Sequence, residues 1–291
     1  MTVVDEIRIY PIKSLGSIAL SEAVVEERGL RYDRRFILVS PKGPMLTQRT
    51  YPQLALLDVA IDGMPAVTEP AAPTTATLRI WHRQHPDNAL TLPLVPTVTD
   101  AAERVPVSVW DSAAVAAVAV SAEADRWFSA VLQTPCRLLY MPDAVERPVR
   151  EKYALPAENL RPNVSFADGV PFLLISRASL DDLNRRLPEP VGMNRFRPNL
   201  VIGGDLAPHE EDTWAEFRLG GVGFRGVKPC IRCVMTTIDS ATAQKGKEPL
   251  RTLATYRNSG GGILFGQNVL GLTTGILRVG DRAEVLSRLE P

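Results

Sequence analysis

Two of the three cysteines in the chain, Cys230 and Cys233, lie three positions apart near its C-terminal end. A thioredoxin-type redox pair would stand at the start of a helix, where the helix dipole lowers a thiol pKa. A structural zinc site would need further ligands in a second pair. Two other uses are open: packing in the core, and a single thiolate that binds a soft, redox-active metal. The remaining thiol and imidazole candidates are scattered along the chain: Cys136, His82, His85 and His209.

The residues that follow Cys233 favour a strand, because the run from Val234 to Ile238 is rich in β-branched side chains. A strand here argues against a redox pair at a helix start. Residues three apart in a strand point to opposite faces. If the strand already includes Cys230, only one of the two thiols can enter a given site, and Met235 and Thr237 would share a face with Cys233.

Polar residues beside predicted strands form a second group of candidates. Lys13 and Ser14 follow the first predicted strand, where an ammonium and a hydroxyl can either remain solvated or together clamp a phosphate. Arg34 follows Asp33 at the entrance of a buried strand predicted over Phe36 to Val39. That pair could be a simple surface ion pair, which would contribute little to stability.

Many short predicted strands and few helices indicate an α+β, β-rich fold with a β-barrel core. Local capping and turn signals position several of its elements. They predict a helix over Ala122 to Leu132 capped by Ser121, a second helix start at Ser179 with Asp182, a hairpin at Gly220-Gly221, and a last hairpin at Gly280-Asp281 before Ala283 to Leu286.

The overall composition excludes several classes of protein. The chain has 291 residues with 33 basic and 33 acidic side chains, so its balanced charge gives no general attraction for nucleic acid or for a membrane surface. No apolar run approaches the roughly 20 residues needed to span a bilayer, and the first residues do not resemble a leader peptide. Three cysteines suit a reducing compartment, so we expect a cytoplasmic protein.

The cysteine segment resembles the molybdenum-ligating segment of the MOSC family (molybdenum cofactor sulfurase C-terminal domain). Further segments resemble that family in the order it uses: Pro11 to Ser14, the Asp33-Arg34 pair, Arg197-Pro198-Asn199 and Phe265 to Asn268. The resemblance covers roughly residues 3 to 288. It is closest to MOSC proteins with an N-terminal β-barrel domain, among them the mitochondrial amidoxime-reducing components and the bacterial proteins that detoxify N-hydroxylated bases.

This resemblance implies a two-domain organisation. An N-terminal β-barrel-like domain (residues 1–118) would pack on a MOSC β-barrel domain with a few helices (residues 119–291), with the cofactor between them. It also implies a molybdenum cofactor, either plain or nucleotide-extended molybdopterin. The implied residues are Cys233 as metal ligand and catalytic residue, Asn268 as a further catalytic residue, and Lys13, Ser14, Arg34, Asp168, Gly169, Arg197, Asn199 and Arg232 around the cofactor.

The implied activity is two-electron reduction of the N–O bond of a small N-hydroxylated substrate to an amine or amidine plus water. We expect no flavin and no iron–sulfur cluster, since no cysteine follows Cys233. Electrons must then come from another protein of reductase, ferredoxin or cytochrome type. The alternative is a cofactor carrier or sulfur-transfer module without turnover of its own.

Overall fold

Strands provide most of the regular structure in the computed structural model, which describes residues 1–71, 74–110, 112–154 and 161–289. The predicted β-rich α+β fold is confirmed. The first ten strands are β1 (Val3–Ile9), β2 (Ile18–Leu20), β3 (Glu22–Glu26), β4 (Gly29–Leu30), β5 (Phe36–Val39), β6 (Leu57–Asp62), β7 (Thr77–His82), β8 (His85–Pro93), β9 (Arg104–Val109) and β10 (Ser112–Ala119).

The second part of the chain contributes nine further strands and three α-helices. The helices are α1 (Ala122–Leu132), α2 (Arg177–Arg186) and α3 (Leu250–Tyr256). None of the helices in the described ranges is long and apolar enough to cross a bilayer. The strands are β11 (Arg137–Tyr140), β12 (Phe172–Ser176), β13 (Leu200–Gly203), β14 (Trp214–Leu219), β15 (Val222–Ile231), β16 (Asn258–Ser259), β17 (Gly262–Gly271), β18 (Gly275–Arg278) and β19 (Ala283–Arg288).

One large sheet runs in the order β19-β14-β15-β17-β12-β13-β1-β2, with β16 paired to β17. Its neighbours are antiparallel except β12 and β13, which are parallel and are connected through α2. The backbone of β1 also pairs with the segment before β19, since Val4 N donates to Asp281 O and Gly280 N donates to Val4 O, both at 2.8 Å. These bonds connect β1, next to last at one end of the order, with the residues that lead into β19 at the other end, so the sheet curls into a barrel.

Three smaller sheets surround this barrel, in the orders β5-β11-β10-β9, β6-β7-β8 and β18-β3-β4. Strands from both sides of residue 118 pair with one another, because β11 lies between β5 and β10 while β1 belongs to the large sheet. The division into domains 1–118 and 119–291 therefore stays a prediction. The loops that carry Lys13 and Arg34 lie where the N-terminal part of the chain meets the large sheet.

The strand predicted after Cys233 is wrong. Strand β15 ends at Ile231, and Val234–Thr237 form a 3₁₀ helix for which Cys233 is the N-cap. Two threonine hydroxyls explain the difference: Thr236 Oγ1 donates to Cys233 O at 3.1 Å, and Thr237 Oγ1 donates to Val234 O at 2.8 Å. Such local side-chain bonds to the backbone compete with strand pairing.

Two other local predictions are also wrong. Helix α2 is capped by Ser176, whose Oγ accepts from Ser179 N at 3.1 Å, while the Ser179 hydroxyl donates to buried Glu211. No hairpin joins β18 to β19, because β18 pairs with β3 and β19 pairs with β14. The predicted helix α1 with its Ser121 cap is confirmed, as is the Gly220-Gly221 hairpin between β14 and β15.

Candidate functional site

A single pocket brings together all of the residues that the sequence analysis assigned to a site. The pocket lies where the loops after β1, β4 and β11 approach the ends of β12, β13, β15 and β17. Its lining includes Lys13, Ser14, Arg34, Asp168, Gly169, Arg197, Asn199, Arg232, Cys233 and Asn268. This shared location is a geometric finding, and the role of each residue stays a prediction.

One end of the pocket, here called the cationic end, is built around Tyr10. The Cζ atoms of Arg34 and Arg197 lie 4.4 and 4.2 Å from the centre of the Tyr10 ring. The Tyr10 hydroxyl donates to the carbonyl of Pro198 at 3.0 Å. Cation–π contacts of this kind hold two guanidinium groups close together although they repel each other. The cationic end is therefore a preformed cluster of positive charge.

The backbone at the cationic end adopts an uncommon conformation. Ser14, Arg34 and Arg197 have φ angles of 71°, 48° and 58°, in the left-handed region that residues other than glycine seldom occupy. Strain of this kind persists where the surrounding structure imposes it, and it is concentrated at functional sites. Within the described part of the chain, no group forms a hydrogen bond with the Ser14 hydroxyl.

The two arginines differ in their partners. Arg34 Nη1 donates to Asp33 Oδ2 at 2.6 Å and to Asn199 Oδ1 at 2.8 Å. Asn199, which is 1% exposed, also donates to Arg8 O at 3.1 Å, so its amide orients Arg34. Arg197 Nη1 donates to Leu15 O at 2.6 Å and has no carboxylate partner among the described residues. Burial lowers the pKa of Arg197 to about 10, so its guanidinium stays charged near neutral pH.

Lys13 joins the cationic end to the rim of the pocket. Its Nζ donates to Phe166 O at 2.8 Å and forms an ion pair with Asp168. Burial lowers the pKa of Lys13, which the charge of Asp168 partly offsets. Partial desolvation by the surrounding loops would raise the pKa of the half-exposed Asp168 carboxyl, but the charges of Lys13 and Arg49 hold that pKa below its usual range. Arg147 fixes the loop that carries Asp168, since it donates to Ala167 O at 2.7 Å.

A second part of the pocket, here called the thiol end, carries both cysteines of the short spacing. Cys230 and Cys233 line the pocket together, so the prediction that only one of them can enter the site is wrong. The reason is that β15 ends between them and the chain then turns. Arg232 Nη1 donates to Cys230 Sγ at 3.1 Å, and its Nη2 donates to Phe196 O at 2.6 Å.

Strand β17 contributes Asn268 to the lining of the pocket. Asn268 lies opposite Leu173 of β12 and Lys228 of β15 in the strand pairing. Gly266 has φ 79°, and an added Cβ would lie 2.6 Å from Ile175 Cγ1, so only glycine fits that position. This close packing of β17 on β12 fixes the position of the Asn268 backbone at the pocket.

The charges and donors of this pocket fit an anionic group that carries a soft metal. The pocket is lined by six cationic side chains and one carboxylate, Asp168. The Arg232 Nε atom is buried without a partner, as a group awaiting an acceptor would be. Among the described residues, no cluster of three or more His, Cys, Asp or Glu side chains could hold a metal ion. A metal would therefore need most of its ligands from a cofactor.

Three residues of the pocket, Arg49, Arg195 and Met235, were not assigned to a site from the sequence. Arg49 reaches it from the loop after β5, and Arg195 lies there with its Nη2 donating to Asp239 Oδ2 at 2.7 Å. Met235 also lines the pocket. No pattern around Arg49 distinguishes it from a solvated residue, whereas Met235 was expected on the same face as Cys233 but was not assigned to the site. Arg195 lies only two residues before Arg197, and that proximity was the one available signal.

The fold and the site define a MOSC-type protein. The model of the MOSC N-terminal beta barrel domain matches residues 1–135, and that of the MOSC domain matches residues 161–284. The chain is 32% identical over 299 residues to mitochondrial amidoxime-reducing component 1 of Mus musculus, across 98% of this chain and 82% of that relative. The chain belongs to the MOSC family and carries the MOSC N-terminal domain, as predicted.

Other relatives carry different names. The chain is 32% identical over 274 residues to the molybdenum cofactor sulfurase of Oryza sativa subsp. japonica, across 89% of this chain and 31% of that relative. A solved structure, the YuaD protein of Bacillus subtilis, aligns over 98% of this chain and 95% of that chain, with 9% identity and a TM-score of 0.42. That structural likeness is too weak to bear on function.

Proposed function

We propose that this protein is a molybdenum cofactor-dependent reductase of N-hydroxylated compounds. The observation that carries the proposal is a pocket with six cationic side chains that also presents two free thiols. The similarity to amidoxime-reducing components supports it. In the overall reaction the substrate N–O bond breaks, two electrons and two protons are taken up, and an amine or amidine and one water molecule are formed.

The cationic end would hold the phosphate of molybdopterin. Lys13, Arg34 and Arg197 supply positive charge, and the Ser14 hydroxyl supplies a donor. Asn199 would orient Arg34 and would not itself need to touch the anion, because its amide is already bonded within the protein. Asp168 and Gly169 would border the pterin from the rim. Metal and pterin analysis of the protein would show whether the cofactor is plain or nucleotide-extended.

The thiol end would hold the metal. When bound, the cofactor supplies the two-electron redox chemistry. Cys233 would provide a thiolate, which a soft metal prefers to a hydroxyl, and Arg232 would bring positive charge close to it. Asn268 would form a hydrogen bond with the polar head of the substrate, because it lines the pocket together with both cysteines.

Electrons would come from a separate donor protein. The sequence has no glycine-rich dinucleotide fingerprint after a strand, and its three cysteines are too few for a four-cysteine cluster. We expect no turnover with NADH alone and turnover with a reduced viologen dye or with a partner reductase. Direct reduction of substrate by NADH without a partner would contradict this part of the proposal.

The second candidate function is a cofactor carrier or sulfur-transfer module. The similarity to molybdenum cofactor sulfurases favours it, although the chain spans only 31% of the rice relative. Turnover separates the two candidates, since a carrier would bind the cofactor without reducing anything.

The deciding experiment measures molybdenum, pterin and benzamidoxime reduction on the same gently purified sample, with reduced viologen as electron source. We expect cofactor to be present and benzamidine to be formed. Cys136→Ser serves as a matched control, because this buried thiol lies outside the pocket and bonds with Ser129. Cofactor without turnover would favour the carrier, and protein that never holds molybdenum would contradict both candidates.

A further inference from the structure

A second cavity adjoins the pocket on the side of the thiol end. It has a volume of about 420 Å³ and shares Arg49, Asp168, Cys230 and Asn268 with the pocket. We call it the vestibule. The walls that belong to the vestibule alone include the side chains Trp110, Tyr153 and Lys228.

Trp110 presents an aromatic face to this vestibule. It lies at the tip of the hairpin between β9 and β10, has φ 53°, and is 43% exposed. The Cζ atom of Arg49 lies 4.5 Å from the centre of its ring. One face of the indole is therefore covered by a guanidinium group, which leaves the other face available for a planar ring.

Tyr153 and Lys228 form another part of the wall. Lys228 Nζ lies 4.9 Å from the centre of the Tyr153 ring. Burial by itself would raise the pKa of the Tyr153 hydroxyl. The hydrogen bond and the charge of Lys228 outweigh burial, so that pKa lies below its usual value. Lys228 stands on β15 directly opposite Asn268 and two residues before Cys230. Lys228 and Cys230 of the thiol end are therefore held by the same strand.

The charge of the vestibule distinguishes a substrate from its product. Arg49 is paired with Asp168 at 3.3 Å, whereas none of the described carboxylates pairs with Lys228. The wall therefore has excess positive charge. An amidoxime is uncharged near neutral pH, while the amidine formed from it is a cation. Positive charge next to the thiol end disfavours the product without penalising the substrate.

We propose that the vestibule selects planar, uncharged N-hydroxylated aromatic compounds by stacking their ring against Trp110, while Tyr153, whose ring Lys152 and Lys228 already contact, holds Lys228 in the wall. The N–O group would then point towards Asn268 and the thiol end, and Lys228 would promote release of the cationic product. This inference rests on the proposed function and adds the residues that determine its substrate specificity.

The test compares Trp110→Leu with Trp81→Leu in the cofactor-loaded protein. Trp81 is a matched control, because Arg79 stacks on it at 4.4 Å in the same way but on β7, away from both cavities. Dissociation constants of benzamidoxime and acetamidoxime are measured by calorimetry, together with kcat/KM from viologen-driven turnover. Lys228→Met is tested against benzamidine as product, and melting temperatures verify that the variants are folded.

We expect Trp110→Leu to weaken benzamidoxime binding roughly five- to tenfold and to leave acetamidoxime unchanged, since an aromatic contact adds energy only for a ring. Trp81→Leu should change neither. Lys228→Met should tighten benzamidine binding roughly two- to fivefold without affecting benzamidoxime. Equal losses for both oximes, or no loss in a folded Trp110→Leu protein, would overturn the vestibule.

The binding measurement also separates this inference from the proposed function. Turnover with unchanged selectivity in Trp110→Leu would leave the reductase proposal intact and reject the vestibule. Absence of turnover would reject the reductase proposal, while Trp110-dependent binding of benzamidoxime would still support the vestibule. If turnover is absent and both oximes bind equally well to wild type and to Trp110→Leu, the vestibule proposal is rejected as well.

Discussion

The cationic end and the thiol end of the pocket are built in opposite ways. At the cationic end Lys13 and Ser14 are buried, and the charged groups bond both to backbone carbonyls and to buried or partly buried side chains. At the thiol end Ile231, which lies between the two cysteines, and Val234, which follows them, are 47% and 43% exposed. The first arrangement suits a group that must stay in place, and the second suits a centre that a substrate and an electron donor must reach.

This difference also concerns the cost of burying charge. A buried guanidinium without a carboxylate is unfavourable, and burial accordingly lowers the pKa of Arg197 to about 10. An anion bound beside it would offset that cost. The thiols of Cys230 and Cys233 are only half-buried. The contrast predicts that mutations at the cationic end reduce occupancy and that mutations at the thiol end reduce chemistry.

The largest expected effect is at the thiol end. Cys233→Ser should abolish reductase activity while pterin remains bound through the cationic end, because a hydroxyl is a poor substitute for a thiolate on a soft metal. Cys230→Ser should keep most of the activity, since its thiol is occupied by the Arg232 guanidinium. Activity, molybdenum and pterin are measured side by side in both variants, with Cys136→Ser as the control.

Two results would break this assignment. If Cys230→Ser is inactive and Cys233→Ser is active, the metal ligand is Cys230. If both folded variants are inactive, the two thiols act together as a pair, which their shared pocket permits.

At the cationic end the two arginines should respond differently. Arg197→Ala should lower pterin occupancy roughly tenfold or more at limiting cofactor, since a charge-assisted hydrogen bond contributes about 1.5–3 kcal/mol. Arg34→Ala should also lower the free energy of unfolding by about 3–5 kcal/mol, because it leaves buried Asp33 without its ion pair. Pterin content and chemical unfolding curves measure these effects.

Arg79→Ala is the matched control for both variants, because it removes an arginine that stacks on an aromatic ring far from the pocket. Full retention of pterin in Arg34→Ala and Arg197→Ala would contradict the phosphate assignment. Equal losses of stability in the two variants would contradict the distinction between a paired and an unpaired arginine.

The smallest expected effect concerns Asp168 at the rim. This carboxylate competes with an anion for Lys13, so Asp168→Asn should strengthen the binding of inorganic pyrophosphate to cofactor-free protein. Its side chain is 54% exposed, so solvent screening should limit the gain to about threefold. Calorimetry with wild type and variant gives the comparison. Weaker binding in Asp168→Asn would mean that the carboxylate orders the pocket more than it competes.

The sequence determined the family, the β-rich fold class and most of the candidate pocket. These were accessible because each motif is local: a few adjacent residues, such as Lys13-Ser14 or Arg197 to Asn199, are recognisable without knowing their neighbours in space. Helix α1 and the β14–β15 hairpin were also predictable, since a serine cap and a Gly-Gly turn act over a few residues.

Tertiary structure alone decided which residues meet. The barrel closes through bonds of Val4 with Gly280 and Asp281, which no local pattern encodes. The vestibule unites Trp110 with Lys228 from opposite halves of the chain. Both thiols face one pocket because threonine hydroxyls bond back to the chain and end the strand. β-branched residues predict a strand by their average preference, but the bonds available at one place determine whether that strand forms.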